Sequence, residues 1–326
     1  MAGDQKILLT GPTGFIGGRL LRALDEKGYY VRCLVRMGEK LVVRGAPLRQ
    51  MPDVVYGDLL KPETLKPALE GIDAAYYLVH SMGGRTIKET ITFAEKDRKA
   101  ALNFLRAAES AGVKRIIYLG GLGAKNEKLS KHLASRNEVA DILQSGKVET
   151  TVLRAAIIIG AGGASFEIVR YLAERLPVMV CPKWIRTRSQ PIAVQDVIAY
   201  LLGCLENPAT AGLRLDIGGP QILSYADLIR IYCKVRNLKR ILIPVPVLTP
   251  RLSAYWIKLV TPVPAGIVFP LVEGLKNEAI CQNDTIRRLI TIPLTTMEEA
   301  ICRALAEESQ GPGKLPSVQS CFLSWK

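Results

Sequence analysis

Three glycines stand at positions 11, 14 and 17, in Gly11-Pro12-Thr13-Gly14-Phe15-Ile16-Gly17, directly after the aliphatic run Lys6 to Thr10 and at the start of a helical pattern. A strand that turns tightly into a helix brings several backbone N–H groups to the helix start, where they hold an anionic phosphate without help from side chains. Gly11 allows the turn, Gly14 lets a diphosphate come close, and Gly17 lets the helix pack on the strand. The expected ligand is a dinucleotide, with Thr10, Thr13, Phe15 and Ile16 completing the loop. The next aliphatic run, Val31 to Val35, ends at Arg36, where an acidic residue would select a ribose 2′-hydroxyl. A guanidinium fork suits a 2′-phosphate instead, with Arg19 or Arg32 in support, so NADP(H) is expected over NAD(H).

Proton chemistry by imidazole is confined to two places, because the 326 residues include only His80 and His132. His132 and Arg136 fall at i and i+4 in a helical stretch and so share one face. An arginine one turn away disfavours imidazolium and leaves a neutral histidine able to donate a hydrogen bond to a carbonyl oxygen. His80 is the alternative proton donor. Asp97 and Arg98 are assigned surface or cofactor-edge positions. No metal is expected, since the histidines are far apart and the seven cysteines form no CxxC or ligand cluster. The cysteines read as reduced thiols of a cytoplasmic protein.

These groups must be positioned by alternating strands and helices. Buried strands are expected at Lys6 to Thr10, Val31 to Val35, Val54 to Tyr56, Ala74 to Val79, Ile116 to Leu119 and Thr151 to Ala155. Helical periodicity runs through Ile16 to Lys27, Pro62 to Leu69, Thr86 to Ala111 and Ser130 to Gln144. The fold class is α/β, a Rossmann-type doubly wound parallel sheet with a smaller C-terminal substrate lobe. The dinucleotide domain is placed at 1–160, with Ile192 to Leu205 and Arg214 to Ile217, inside 191–219, returning to the main sheet. The substrate lobe takes 161–190 and 220–309, with an apolar face at Leu248, Leu252, Trp256 and Leu259, and 310–326 is a tail. Phe166, Trp184 and Arg188 are the expected substrate-pocket residues.

Hydrophobic residues make up 48% and charged residues 23%, the balance of a folded chain without long disorder. Lys and Arg exceed Asp and Glu by 44 to 30, a net charge of +14. Such a surface attracts phosphates, nucleic acid or anionic lipid. No zinc-finger spacing, recognition helix or aromatic-interleaved basic stripe accompanies it, so specific nucleic-acid binding is not expected. Peripheral contact with an anionic membrane stays open, as does the oligomeric state. A secretory leader is not expected. The apolar stretch Leu259 to Leu275 is broken by Pro262, Pro264, Gly266 and Pro270, which argues against a membrane-spanning helix.

The chain resembles the atypical short-chain dehydrogenase/reductase superfamily, and within it the NmrA-like NAD(P)-binding proteins. The matching stretches are Thr10 to Gly17, Val31 to Arg36, Gly57-Asp58-Leu59, Tyr77 to Met82, Tyr118 to Gly123 and Gln190 to Val197. The resemblance implies that Asp58 and Leu59 touch the adenine, and that Leu78, Val79, His80 and Ser81 line the ribose and nicotinamide side. It also exposes a departure. Most reductases of the superfamily use a serine with Tyr-x-x-x-Lys, whereas here His132 and Arg136 replace the tyrosine and lysine, and Gly120-Gly121 ends the serine-bearing strand.

Two functions follow. The first is an NADP(H)-dependent reductase of a small, hydrophobic substrate such as an isoprenoid, quinone, enone or aromatic ring. The alternative is a non-catalytic NADP(H)-binding redox sensor or structural subunit.

Overall fold

In the computed structural model, which describes residues 5–41, 47–81, 92–123, 129–245, 255, 257–275 and 277–309, the aliphatic runs become parallel strands. These are β1 (Lys6–Thr10), β2 (Tyr30–Val35), β3 (Asp53–Tyr56), β4 (Ala74–Tyr77), β5 (Arg115–Gly121) and β6 (Glu149–Ala155). Seven short or later strands follow: β7 (Ile158–Ile159), β8 (Val178–Pro182), β9 (Arg188–Ser189), β10 (Ile192–Ala193), β11 (Arg214–Ile217), β12 (Leu223–Ser224) and β13 (Ile241–Val245). The central sheet has seven strands in the order β11-β6-β5-β4-β1-β2-β3. The order reverses direction between β1 and β4, and ligands of such sheets bind in the crevice at the carboxyl ends there.

Alternation along β1 shows why both faces are covered. Ile7 and Leu9 join the core shared with α1 (Gly17–Glu26), while Leu8 joins the opposite core. That second core contains α2 (Leu65–Leu69), α3 (Phe93–Ser110) and α4 (Lys131–Gln144), contributing Leu65, Phe104 and Leu143 among others. Each such side chain, once buried, contributes about 1.5–3 kcal/mol, so a polar replacement of Ile7, Leu8 or Leu9 would be costly.

Several boundaries differ from expectation for identifiable reasons. β4 stops at Tyr77 because the Leu78 N–H turns to the Thr10 hydroxyl (2.9 Å), which itself donates to the Tyr76 carbonyl (3.0 Å). α3 starts at Phe93, not Thr86, because Thr92 and Glu95 form a reciprocal capping box; residues 86–91 lie outside the described residues. Ile192 and Ala193 do not join the main sheet. They pair with β7, because the chain leaves the sheet after Ala155 and β11 occupies the edge beside β6.

The second lobe has its own core, built from α5 (Ala164–Arg175), the buried side of β8, α7 (Tyr225–Val235), α8 (Ala265–Gly274) and α10 (Met297–Ser309). Between them in the chain lie α6 (Val194–Glu206), which packs on the sheet, and α9 (Thr285–Leu289). Leu248, Leu252, Trp256 and the 310–326 tail lie outside the described residues. Among the described residues no helix is long and apolar enough to cross a membrane; α8 carries Pro270 inside it.

Candidate functional site

The glycine loop is built by backbone constraints. Gly11 has φ +67°, and a Cβ there would lie 3.2 Å from the Leu78 carbonyl oxygen. The Gly14 N–H closes a turn on the Gly11 carbonyl at 3.1 Å. A Cβ on Gly17 would lie 2.0 Å from the Gly11 oxygen, so helix and turn can touch only through glycine. The first turn of α1 carries no side-chain cap and no acidic residue. An uncapped helix start framed by close-approach glycines fits a diphosphate.

From this loop a cavity of about 340 Å³ runs between the two lobes. Gly11, Gly14, Phe15, Ile16 and Gly17 line one end, Leu78, His80, Gly120, Gly121, His132 and Arg136 the middle, and Ile257, Ile267, Pro270, Leu271, Val272 and Leu275 the far wall. Phe15 links the lobes. The Arg19 guanidinium stacks over its ring at 4.8 Å and donates to the Phe15 and Ala161 carbonyls, and Arg19 also pairs with Glu307 of α10.

The two histidines face the same cavity, ring centroids 6.4 Å apart. Arg136 Nε donates to His132 Nε2 at 3.2 Å, which assigns the proton of the neutral ring to Nδ1. Burial, and then the Arg136 charge, pushes the His132 pKa down to about 3. The His80 ring is open to the cleft yet walled by protein, and desolvation followed by Arg136 and His132 pushes it well below the usual imidazole range. Both rings are therefore neutral at physiological pH.

A buried carboxylate ties these groups together. Asp97 Oδ1 accepts the Ser81 N–H at 2.7 Å, and Oδ2 accepts the Ser135 hydroxyl at 3.3 Å. Asp97 thus connects the segment after His80 to the helix bearing His132 and Arg136. Of the two positions expected for Asp97, the surface one is corrected, and Asp97 lies buried beside Ser81; Arg98 does lie at the surface, paired with Glu138. The signal was in the spacing, because Asp97 occupies the same helical stripe as the buried Ala100, Ala101 and Phe104.

Other expected residues fall elsewhere. Thr10 is fully buried and its hydroxyl is committed to the β4 backbone, and Thr13 is exposed without lining the cavity. Arg36, Asp58 and Leu59 lie outside the cavity lining. Arg36 is exposed and paired with Glu39, Asp58 Oδ1 accepts the Leu60 N–H, and Leu59 is buried. Arg32 cannot assist Arg36, being held by Asp53 and the Glu70 carbonyl, and Arg19 is engaged as described. Val79 packs on the α3 side of the sheet, where a Cβ on Gly11 would meet it at 3.4 Å. Met82 lies outside the described residues. Phe166 is fully buried in the second-lobe core and Trp184 packs against that core, so neither lines the cavity. Arg188 does line it, with its guanidinium bridging to Glu278. The far apolar wall was missed, because its residues come from a proline-broken stretch without clear periodicity.

A family model described as NAD(P)H-binding matches residues 11–173. Among curated proteins, the chain is 26% identical to the photosystem II assembly factor Ycf39 of Synechocystis sp. over 70% of this chain and 66% of that protein, just under two thirds of its length. It is 28% identical to the ceramide reductase of Caulobacter vibrioides, over 76% of each. Among solved structures, the triphenylmethane reductase of Citrobacter sp. complexed with NADP(H) superposes with a TM-score of 0.71 at 20% identity, over 92% of this chain and 99% of that one. That likeness is one of fold.

Proposed function

The chain belongs to the NAD(P)H-binding family, and on that premise we propose that it is an NADP(H)-dependent reductase of a small hydrophobic substrate bearing a carbonyl or activated alkene. One observation carries the reading: a single cavity joins the diphosphate loop, two neutral histidines and an aliphatic wall. The glycine loop and the uncapped start of α1 would hold the diphosphate. Arg36 would turn from Glu39 to the 2′-phosphate, since an exposed ion pair is weak and easily exchanged. A bound nicotinamide supplies the hydride.

The chain's own groups do the rest. His132, with Nε2 held by Arg136, presents Nδ1–H as a donor that polarises a substrate oxygen, and His80 across the cavity is the alternative donor. A neutral imidazole does not readily surrender its proton, so it stabilises developing charge and the final proton comes from water. This replaces the Ser/Tyr/Lys arrangement, because Gly120 and Gly121 offer no hydroxyl. The apolar wall selects hydrophobic substrates, a choice that the name of the Caulobacter relative also supports.

The test is a substrate screen with NADPH followed by His132→Ala. Turnover should fall about 100-fold, the contribution of a positioned proton donor, while NADPH affinity stays unchanged. Unchanged turnover would move the chemistry to His80. The second reading, a non-catalytic NADP(H) sensor or assembly subunit, is favoured by the Ycf39 relatives' name. A chain of that kind binds NADPH and consumes none with any substrate.

A further inference from the structure

Eleven large apolar side chains are exposed among the described residues, and six fall in one part of the second lobe: Val178, Val180, Ile241, Ile243, Tyr255 and Leu259. The parallel register of β8 and β13 sets Ile241 beside Val178 and Ile243 beside Val180. The alternate residues Met179 and Cys181 are buried in the lobe core. A ribbon with one face in a core normally carries polar residues on the other. Here the outer face is aliphatic, and a clustered patch of this kind marks an interaction surface.

Tyr255 and Leu259 of this patch back the cavity wall. Arg175, at the end of α5, donates to the Val260 carbonyl at 2.7 Å and so joins the base of the ribbon to the helical turn at 257–260. On that turn Ile257 is 3% exposed and lines the cavity, whereas Leu259 is 82% exposed on the outside. Tyr255 stacks edge-on against Phe269 of α8, next to Pro270 and Leu271 of the cavity wall.

Charge selects the occupant. Arg175, Lys239 and Lys258 are exposed around this patch and Arg240 is half-buried. Arg175 and Arg240 donate to backbone carbonyls, Arg240 to those of Ala173 and Lys239. Nearby Glu174 is taken by Arg170 and Arg236, leaving Glu273 as the exposed carboxylate on α8. A second copy of the chain would bring the same basic groups against these. An apolar face ringed by basic residues instead matches a bilayer with anionic headgroups.

We propose that the outer face of β8, β13 and the 257–260 turn docks on an anionic phospholipid bilayer, so that a lipophilic substrate enters the cavity across the 257–275 wall. The substrate's passage rests on the reductase reading; the docking does not.

The test is flotation of the full chain with vesicles of phosphatidylcholine alone and of phosphatidylcholine mixed with phosphatidylglycerol, without substrate. The chain should float with the mixed vesicles, less so at high salt, and stay behind with the neutral ones. I241D/I243D should abolish flotation while leaving NADPH affinity unchanged. K239E/K258E should weaken it by roughly fivefold or more per charge, the factor implied by about 1 kcal/mol for each basic residue at such a surface. Absence of wild-type flotation, or variants that float like the wild type, overturns the proposal. So does a wild-type dimer in sedimentation velocity that I241D/I243D dissociates without changing flotation, which would assign the face to a second copy. A chain that floats yet reduces nothing loses the reductase reading alone. One that reduces a detergent-dispersed substrate yet ignores vesicles loses the docking alone.

Discussion

The glycine loop and the ends of β2 and β3, the two regions assigned to the cofactor, are built on different principles. At the diphosphate end the geometry is fixed by backbone: Gly17 and Gly11 touch where no side chain fits, and Thr10 locks the end of β1 to the end of β4. At the far end, Arg36 and Glu39 pair with each other at the surface and Asp58 caps its own turn. The first is preformed, whereas the second, if Arg36 takes a 2′-phosphate as proposed, exchanges partners on binding. On the proposed reading, affinity for the shared part of the cofactor resides in the loop, and discrimination between NADPH and NADH in a weak, exchangeable contact.

The largest effect should come from the rigid end. Gly17→Ala drives a Cβ into a carbonyl oxygen, and an overpacked contact of that kind costs on the order of 3 kcal/mol. Thermal unfolding and NADPH titration should both register the loss. Gly14→Ala, whose Cβ would sit 3.3 Å from the Gly11 oxygen, should spare stability and lose cofactor. If both variants unfold alike, the distinction between packing and ligand approach is wrong.

At the far end, Arg36→Ala should weaken NADPH by about 2 kcal/mol, the worth of hydrogen bonds to a charged group, and leave NADH unchanged. Equal losses would remove Arg36 from the 2′-phosphate. Glu39→Gln should have the smallest binding effect, strengthening NADPH by about 0.5 kcal/mol or less by releasing an exposed pair.

Acid sharpens the contrast from the cavity side. The folded pKa of His132 lies near 3, below the ordinary imidazole value of 6.5, so the unfolded chain binds the extra proton first. The stability this group contributes is complete above pH 6.5 and is lost as pH falls from there toward 3, with a slope of up to about 1.4 kcal/mol per pH unit for one proton. His80 adds to the loss in the same direction. Denaturant titrations between pH 7 and 4.5 should show a flatter profile in His132→Gln; an unchanged profile would mean that the ring is not held neutral by its surroundings.

Glycine types and spacing made the first end legible in the sequence, because Gly11, Gly14 and Gly17 act through what they lack. The central strands were legible for a similar reason, since burial on both faces leaves an uninterrupted aliphatic run. Polar side chains were harder. Arg19 and Arg32 looked free to help Arg36, but their partners Glu307, Ala161, Asp53 and Glu70 are brought to them by the fold. Phe166 and Trp184 looked like pocket residues because aromatic character alone does not tell a cavity wall from a core. Asp97 looked like a surface or cofactor-edge residue although its spacing sets it on the buried stripe of α3, and only the packing of α3 on α4 brings Ser135 to it.

The most direct test of the account is titration calorimetry of the purified chain, stripped of co-purified cofactor, with NADPH and with NADH. Tight NADPH binding and weaker NADH binding is the predicted result. Binding of neither would mean that the glycine loop serves only the fold, and equal binding of both would contradict the role given to Arg36.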